Sequence, residues 1–142
     1  MNSRAVEAAI GSAREAALQF LDAYWRADLE GALAICTPGA SIELSQSVAL
    51  ASPAPLAEVL PIIFTKVYPR FVESCFVTQI DRVLADDSAV AVEYAATGSL
   101  VSGRPFHCRY LVIIEIEGGK VRRFRPYTDT KYVDAELFDE RA

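Results

Sequence analysis

Residues 105–130 read PFHCRYLVIIEIEGGKVRRFRPYTDT, and the two glycines in the middle decide how the chain folds. A strand-like run fills 105–117 and a second fills 120–129. Gly118-Gly119 between them is a tight hairpin signal, because glycine accepts the positive φ angles of a two-residue turn. Working backwards, Ser102-Gly103 signals another hairpin, preceded by a run rich in Val, Tyr and Thr over 89–100. Asp86-Asp87 closes one more strand over 71–85. Four successive strands joined by short turns predict an antiparallel meander.

The first part of the chain has a different period. Ala9, Ala13, Ala16, Ala17, Phe20, Leu21 and Tyr24 recur at spacings of three and four, which predicts a helix over 3–27 with one apolar stripe. Asp28 is a candidate N-cap for a short helix over 29–36, which Pro38-Gly39 should stop. A short strand over 40–44 and a loop rich in Ser, Ala and Pro lead to a third helix over 54–68. Pro61 should kink or restart that helix and Pro69 end it. The tail over 132–138 adds a helical turn or covers an edge. Helices first and strands after them read as α+β. The expected form is a cone-shaped barrel: a strongly curved antiparallel sheet packed on three N-terminal helices, enclosing an apolar cavity suited to a small molecule. No repeat or linker interrupts 1–142, so one domain is expected.

Composition removes several function classes. Of 142 residues, 52% are hydrophobic and 23% charged, which fits a folded globular chain. A net charge of −5 argues against a general nucleic-acid binder. The one basic cluster, 120–125, lies beside Glu115 and Glu117. Cys36, Cys75 and Cys108 form no CxxC and meet a single histidine, so no metal site is expected. They read as buried reduced thiols of a cytoplasmic protein. The amphipathic N-terminus lacks the apolar core of a secretory signal. The longest strongly apolar run, 110–114, is far too short to span a bilayer, so no membrane partner is expected.

Four stretches carry a family resemblance. FLDAYWRADLEG at 20–31, PGASIE at 38–43, GRPFHCRY at 103–110 and GKVRRFRPYTDT at 119–130 stand in the right order. Together they resemble the nuclear-transport-factor-two-like superfamily, also called ketosteroid-isomerase-like or SnoaL-like, over nearly the whole chain. In its steroid isomerases the resemblance places a helix Tyr and two Asp residues where this sequence has Phe20, Leu44 and Leu111, so that triad is absent. The Asp-Arg-Asp relay of its epoxide hydrolases has only a partial echo in Arg109 and Asp129. What remains is most similar to the broad SnoaL-like group, which includes polyketide cyclases. That resemblance implies a cofactor-independent acid/base enzyme of isomerase, cyclase or dehydratase type acting on a hydrophobic cyclic metabolite. The alternative is a non-catalytic ligand-binding dimer module of the same fold.

Asp129 and His107 are the expected proton carriers. Their structural alternatives are a turn cap for Asp129 and a place at the rim for His107. Arg109 lies two residues beyond His107 and shares its face, which Leu111 and Ile113 continue. The isomerase comparison turns that face toward the cavity. Arg123, Arg125, Tyr127 and Asp129 also alternate onto one face, with Tyr127 and Asp129 expected near the pocket. Phe20, Tyr24 and Trp25 on the first helix and Glu43 on the short strand complete the expected binding set. Glu93 and Tyr94 point to opposite faces, so only one can see the pocket. The resemblance also implies a homodimer, formed over outer strand faces carrying Tyr110, Val112 and Ile114.

Overall fold

The computed structural model describes residues 2–44, 50 and 52–138. Within them the strands are β1 (Cys36–Ile42), β2 (Ala54–Pro55), β3 (Val77–Ala85), β4 (Ala89–Ser99), β5 (Pro105–Glu117) and β6 (Lys120–Thr128). The helices are α1 (Ser3–Trp25), α2 (Leu29–Ala34), α3 (Leu56–Ile62) and α4 (Thr130–Val133). The chain of α3 continues as a π-helix, Ile63–Val67, and a 3-10 turn, Tyr68–Arg70. That of α4 continues as a π-helix, Asp134–Phe138.

The α+β architecture stands as expected. The sheet runs β2-β1-β6-β5-β4-β3; it is strongly curved but does not close into a barrel. It is also not wholly antiparallel, because β1 pairs parallel with β6. Pro38-Gly39 does not end a helix; it lies inside β1. Cys36 pairs with Val121 and Ser41 with Arg123, so residues 37–40 stand opposite Arg122 alone. Gly39 accommodates this excursion with φ +76°. Residues 72–76 stay outside β3, and Phe71 makes only an isolated bridge to Leu100. Pro61 does not end its helix. It withholds one N–H from the ladder, and the next turns widen into the π-helix. The loop expected after residue 44 lies mostly outside the described residues.

Asp28 caps α2 as its sequence position suggested, accepting from the Gly31 N–H at 2.9 Å. On α1, Ala13, Ala16, Ala17, Phe20, Leu21 and Ala23 are buried. The small alanines let the helix lie close across β3–β6, where Val90, Val92, Val112, Ile114 and Phe124 are fully buried. Each such side chain contributes roughly 1.5–3 kcal/mol by leaving water. Cys36 and Cys108 are buried, but Cys75 is exposed, so the expectation of three buried thiols fails at 75. No helix among the described residues is long and apolar enough to cross a membrane.

Candidate functional site

The site follows from which side of each strand faces α1. On β5, Phe106, Cys108, Val112, Ile114 and Ile116 are buried and Tyr110 is half-buried, while His107, Arg109 and Leu111 are exposed. The even-numbered face looks inward. Pairing carries that phase to β6, where Tyr110 stands opposite Thr128, Val112 opposite Pro126 and Ile114 opposite Phe124. It carries it to β4 as well, where Tyr94 stands opposite Tyr110.

At one end of the core this inner face opens into a cavity of about 80 Å³. That is room for roughly five to eight waters, or about one substituted ring. Tyr94, Phe106, Tyr110, Pro126 and Thr128 form its sheet side, and Tyr24 and Trp25 close it from the end of α1. Ile63, Val67, Tyr68, Phe71 and Phe76 supply the wall beyond α3, while Thr130, Val133, Leu137 and Phe138 come from the C-terminal helices. Aromatic rings fix this lining by stacked and edge-to-face contacts. Tyr94 stacks on Tyr110 at 4.9 Å and 7°, and Trp25 meets Tyr94 at 4.8 Å and 63°.

The polar groups of the lining are hydroxyls and one indole N–H. Burial pushes the Tyr24 phenol up to about 12 and raises those of Tyr68, Tyr94 and Tyr110 as well. All four are therefore protonated donors at neutral pH. Tyr68 Oη donates to the Tyr24 carbonyl at 2.7 Å, and Thr128 Oγ1 donates to the Arg109 carbonyl at 2.8 Å. Cys108 Sγ sits 2.9 Å from Thr128 Oγ1, and burial raises its thiol, which keeps it from acting as a ready nucleophile. The described lining residues include no carboxylate and no imidazole.

The expected site residues divide accordingly. Tyr24 and Trp25 line the cavity. Phe20 is fully buried behind that wall, with its ring 5.1 Å from Phe124. His107 and Arg109, expected to face the cavity, are on the outer face of the sheet, because the inward parity of β5 is even. Arg109 pairs there with Asp81 at 3.1 Å. Tyr127 is also outward and accepts from Arg125 Nη2 at 2.7 Å. Glu43 points the same way, 3.9 Å from Arg123 and 3.8 Å from Arg125. Asp129 does not line the cavity; it caps α4, accepting from the Tyr132 N–H at 3.1 Å. Of Glu93 and Tyr94, it is Tyr94 that faces in. Tyr110, Val112 and Ile114, expected on the outer face, point inward. Tyr68, Tyr110 and Thr128 escaped the sequence reading. The signal for Tyr110, and through its pairing for Thr128, was the unbroken apolar alternation from Phe106 to Ile116; Tyr68 had no such signal.

Comparison with known proteins agrees with this architecture. The family model described as a SnoaL-like domain matches residues 17–124, about three quarters of the chain. Among curated proteins none matches by sequence. An NTF2-like protein from Burkholderia thailandensis shares 18% identity over 87% of this chain and 95% of its own, with a TM-score of 0.70. A protein assigned as a SnoaL-like polyketide cyclase, from Jannaschia sp. CCS1, shares 16% over 92% and 94%, with a TM-score of 0.74. An LEH-like epoxide hydrolase from M. tuberculosis shares 19% over 91% of each chain, with a TM-score of 0.65. At these identities the likeness is one of fold.

Proposed function

The chain belongs to the SnoaL-like domain family, and from that premise we propose that it binds a small, largely apolar cyclic metabolite in the aromatic cavity. The ligand's oxygen would be held by hydrogen-bond donors. The observation that carries this reading is the lining itself: aromatic walls, protonated phenols, and no charge among the described lining residues. Such a site suits a reaction in which negative charge grows on a ligand oxygen, as in enolate-forming isomerisation or cyclisation. It equally suits binding without turnover, since donors alone remove no proton. The acid/base version rests on Asp129, which stands between the cavity-lining Thr128 and Thr130 and would have to leave its cap to act.

A cavity-filling variant tests the binding site. Val67 is 5% exposed and lines the cavity. Val67→Trp should place its ring in that space, keep or raise Tm, and weaken binding of small aromatics such as indole or 2-naphthol by roughly 100-fold. Unchanged affinity in a folded variant would put the binding site elsewhere. Asp129→Asn, followed by turnover of a cyclic ketone beside its affinity, separates the two versions: the acid/base enzyme keeps affinity and loses turnover, whereas a binder shows no turnover in either form.

The expected homodimer is proposed to form over the outer sheet face. There Leu84, Leu111 and Tyr127 are exposed beside Arg82, Glu93 and Arg109, an apolar centre with both charge signs at its border. Light scattering at micromolar concentration should give twice the chain mass. Leu111→Glu should shift it to the single mass by burying an unpaired charge at the contact. A wild-type protein that stays monomeric would remove the proposal.

A further inference from the structure

Two hydroxyls of the cavity wall already have partners. The Tyr68 hydroxyl is committed to the Tyr24 carbonyl, and Thr128 to the Arg109 carbonyl. Trp25 Nε1 is different: it is buried and has no hydrogen-bond partner. A donor left in that state is destabilising, so its retention on a ligand-sized cavity asks for an acceptor. The indole meets the Tyr94 ring edge to face at 4.8 Å. Its N–H lies near enough to the Tyr94 oxygen to oppose the upward effect of burial on that phenol, yet makes no hydrogen bond of normal geometry with it. Indole N–H can only donate, whereas the phenol oxygen of Tyr94 can accept as well as donate. Since no hydrogen bond joins the pair, the indole N–H is left without an acceptor and the Tyr94 O–H beside it remains able to donate to a ligand. Behind them the stacked Tyr94–Tyr110 pair presents a flat aromatic surface.

We infer that Trp25 Nε1 and the Tyr94 hydroxyl form a two-donor cradle for a single ligand oxygen, which selects a flat carbonyl compound over a hydrocarbon of the same shape. This rests on the cavity being the binding site. Apolar contacts with the walls supply affinity for either compound. The cradle supplies the discrimination, because a ligand without the acceptor leaves both donors unmatched.

Acetophenone and isopropylbenzene test this directly, since they have nearly the same shape and differ in the oxygen. The chain has one tryptophan, so its indole N–H gives a single, self-assigned amide-region signal in a proton–nitrogen correlation spectrum. Acetophenone should bind about three- to tenfold more tightly than isopropylbenzene and should move the indole N–H signal downfield. Trp25→Phe and Tyr94→Phe keep a ring in place and should each reduce the preference at least about threefold. Their amide dispersion and Tm report whether the fold survives. Equal affinity for the two compounds, with a stationary indole signal, would overturn the cradle and leave cavity binding intact. Failure of both compounds to bind would overturn the cavity reading and the cradle with it.

Discussion

Phe20→Ala is expected to lower the free energy of unfolding by about 3–5 kcal/mol, the usual range for deleting a buried aromatic ring. Phe20 is fully buried in the middle of the α1 stripe. It packs edge-on against Phe124 at 5.1 Å and lies parallel to Tyr24 at 6.2 Å. Truncation would leave a hole between helix and sheet that the surrounding strands cannot close, since β5 and β6 are fixed by their ladder. Against a typical stability of roughly 5–15 kcal/mol, this is about a fifth of the total or more. Urea unfolding followed by circular dichroism should show the midpoint falling without a change in slope. Ile113→Ala, on the outer face and only half-buried, is the control and should cost much less. A loss below about 1 kcal/mol for Phe20→Ala would mean that α1 is not seated on this sheet as described.

The position of Phe20 also shows what could be read from the sequence and what could not. The period-three-and-four stripe of 3–27 located both the helix and its buried face, because an amphipathic helix must spend its apolar side on the core. The hairpins at Ser102-Gly103 and Gly118-Gly119 located β4, β5 and β6, because those turns need glycine's positive φ. The parallel β1–β6 pair was not legible, since nothing local encodes which distant strand a short strand will join. The largest failure at the site was the phase of β5. Family comparison turned His107, Arg109 and Leu111 inward, and a one-residue slip exchanges every side chain between faces. The residues stated the other phase: Phe106, Cys108, Tyr110, Val112, Ile114 and Ile116 are all apolar or aromatic, whereas the alternate set carries His, Arg and Glu. Tyr127 and Glu43 were expected inward from the alternation of their own strands, and both stand outward. On α1 the comparison fixed on Phe20 as the place of a catalytic hydroxyl. The hydroxyl that lines the cavity is one turn later, at Tyr24.

High pH should unfold the protein steeply, and the same four tyrosines are the cause. An unfolded phenol loses its proton near pH 10. In the folded state burial holds Tyr24 up to about 12 and keeps Tyr68, Tyr94 and Tyr110 raised too. Above pH 10 the native state therefore binds more protons than the unfolded state, and stability must fall as pH rises. Below pH 10 this contribution is fully present. Each phenol contributes about 1.4 kcal/mol per pH unit, so four together approach about 5 kcal/mol per unit. Buried Cys36, pushed up to about 11, adds a loss of the same sign from about pH 9. The share of Tyr24 ends near pH 12, so the loss is steepest over about the first two units above pH 10. Tyrosinate absorbance and far-ultraviolet circular dichroism, followed on one sample, should show these four phenols ionising together with loss of the fold. Tyr24→Phe should move the transition to higher pH and make it shallower by about a quarter, one of the four contributions having gone. Ionisation well before unfolding would show water reaching the phenols, and with it the loss of the uncharged, protonated lining on which the binding proposal stands. The alkaline transition and the cavity chemistry thus share one physical origin, since the burial that makes the phenolates unaffordable is what keeps their hydroxyls available to a ligand oxygen at neutral pH.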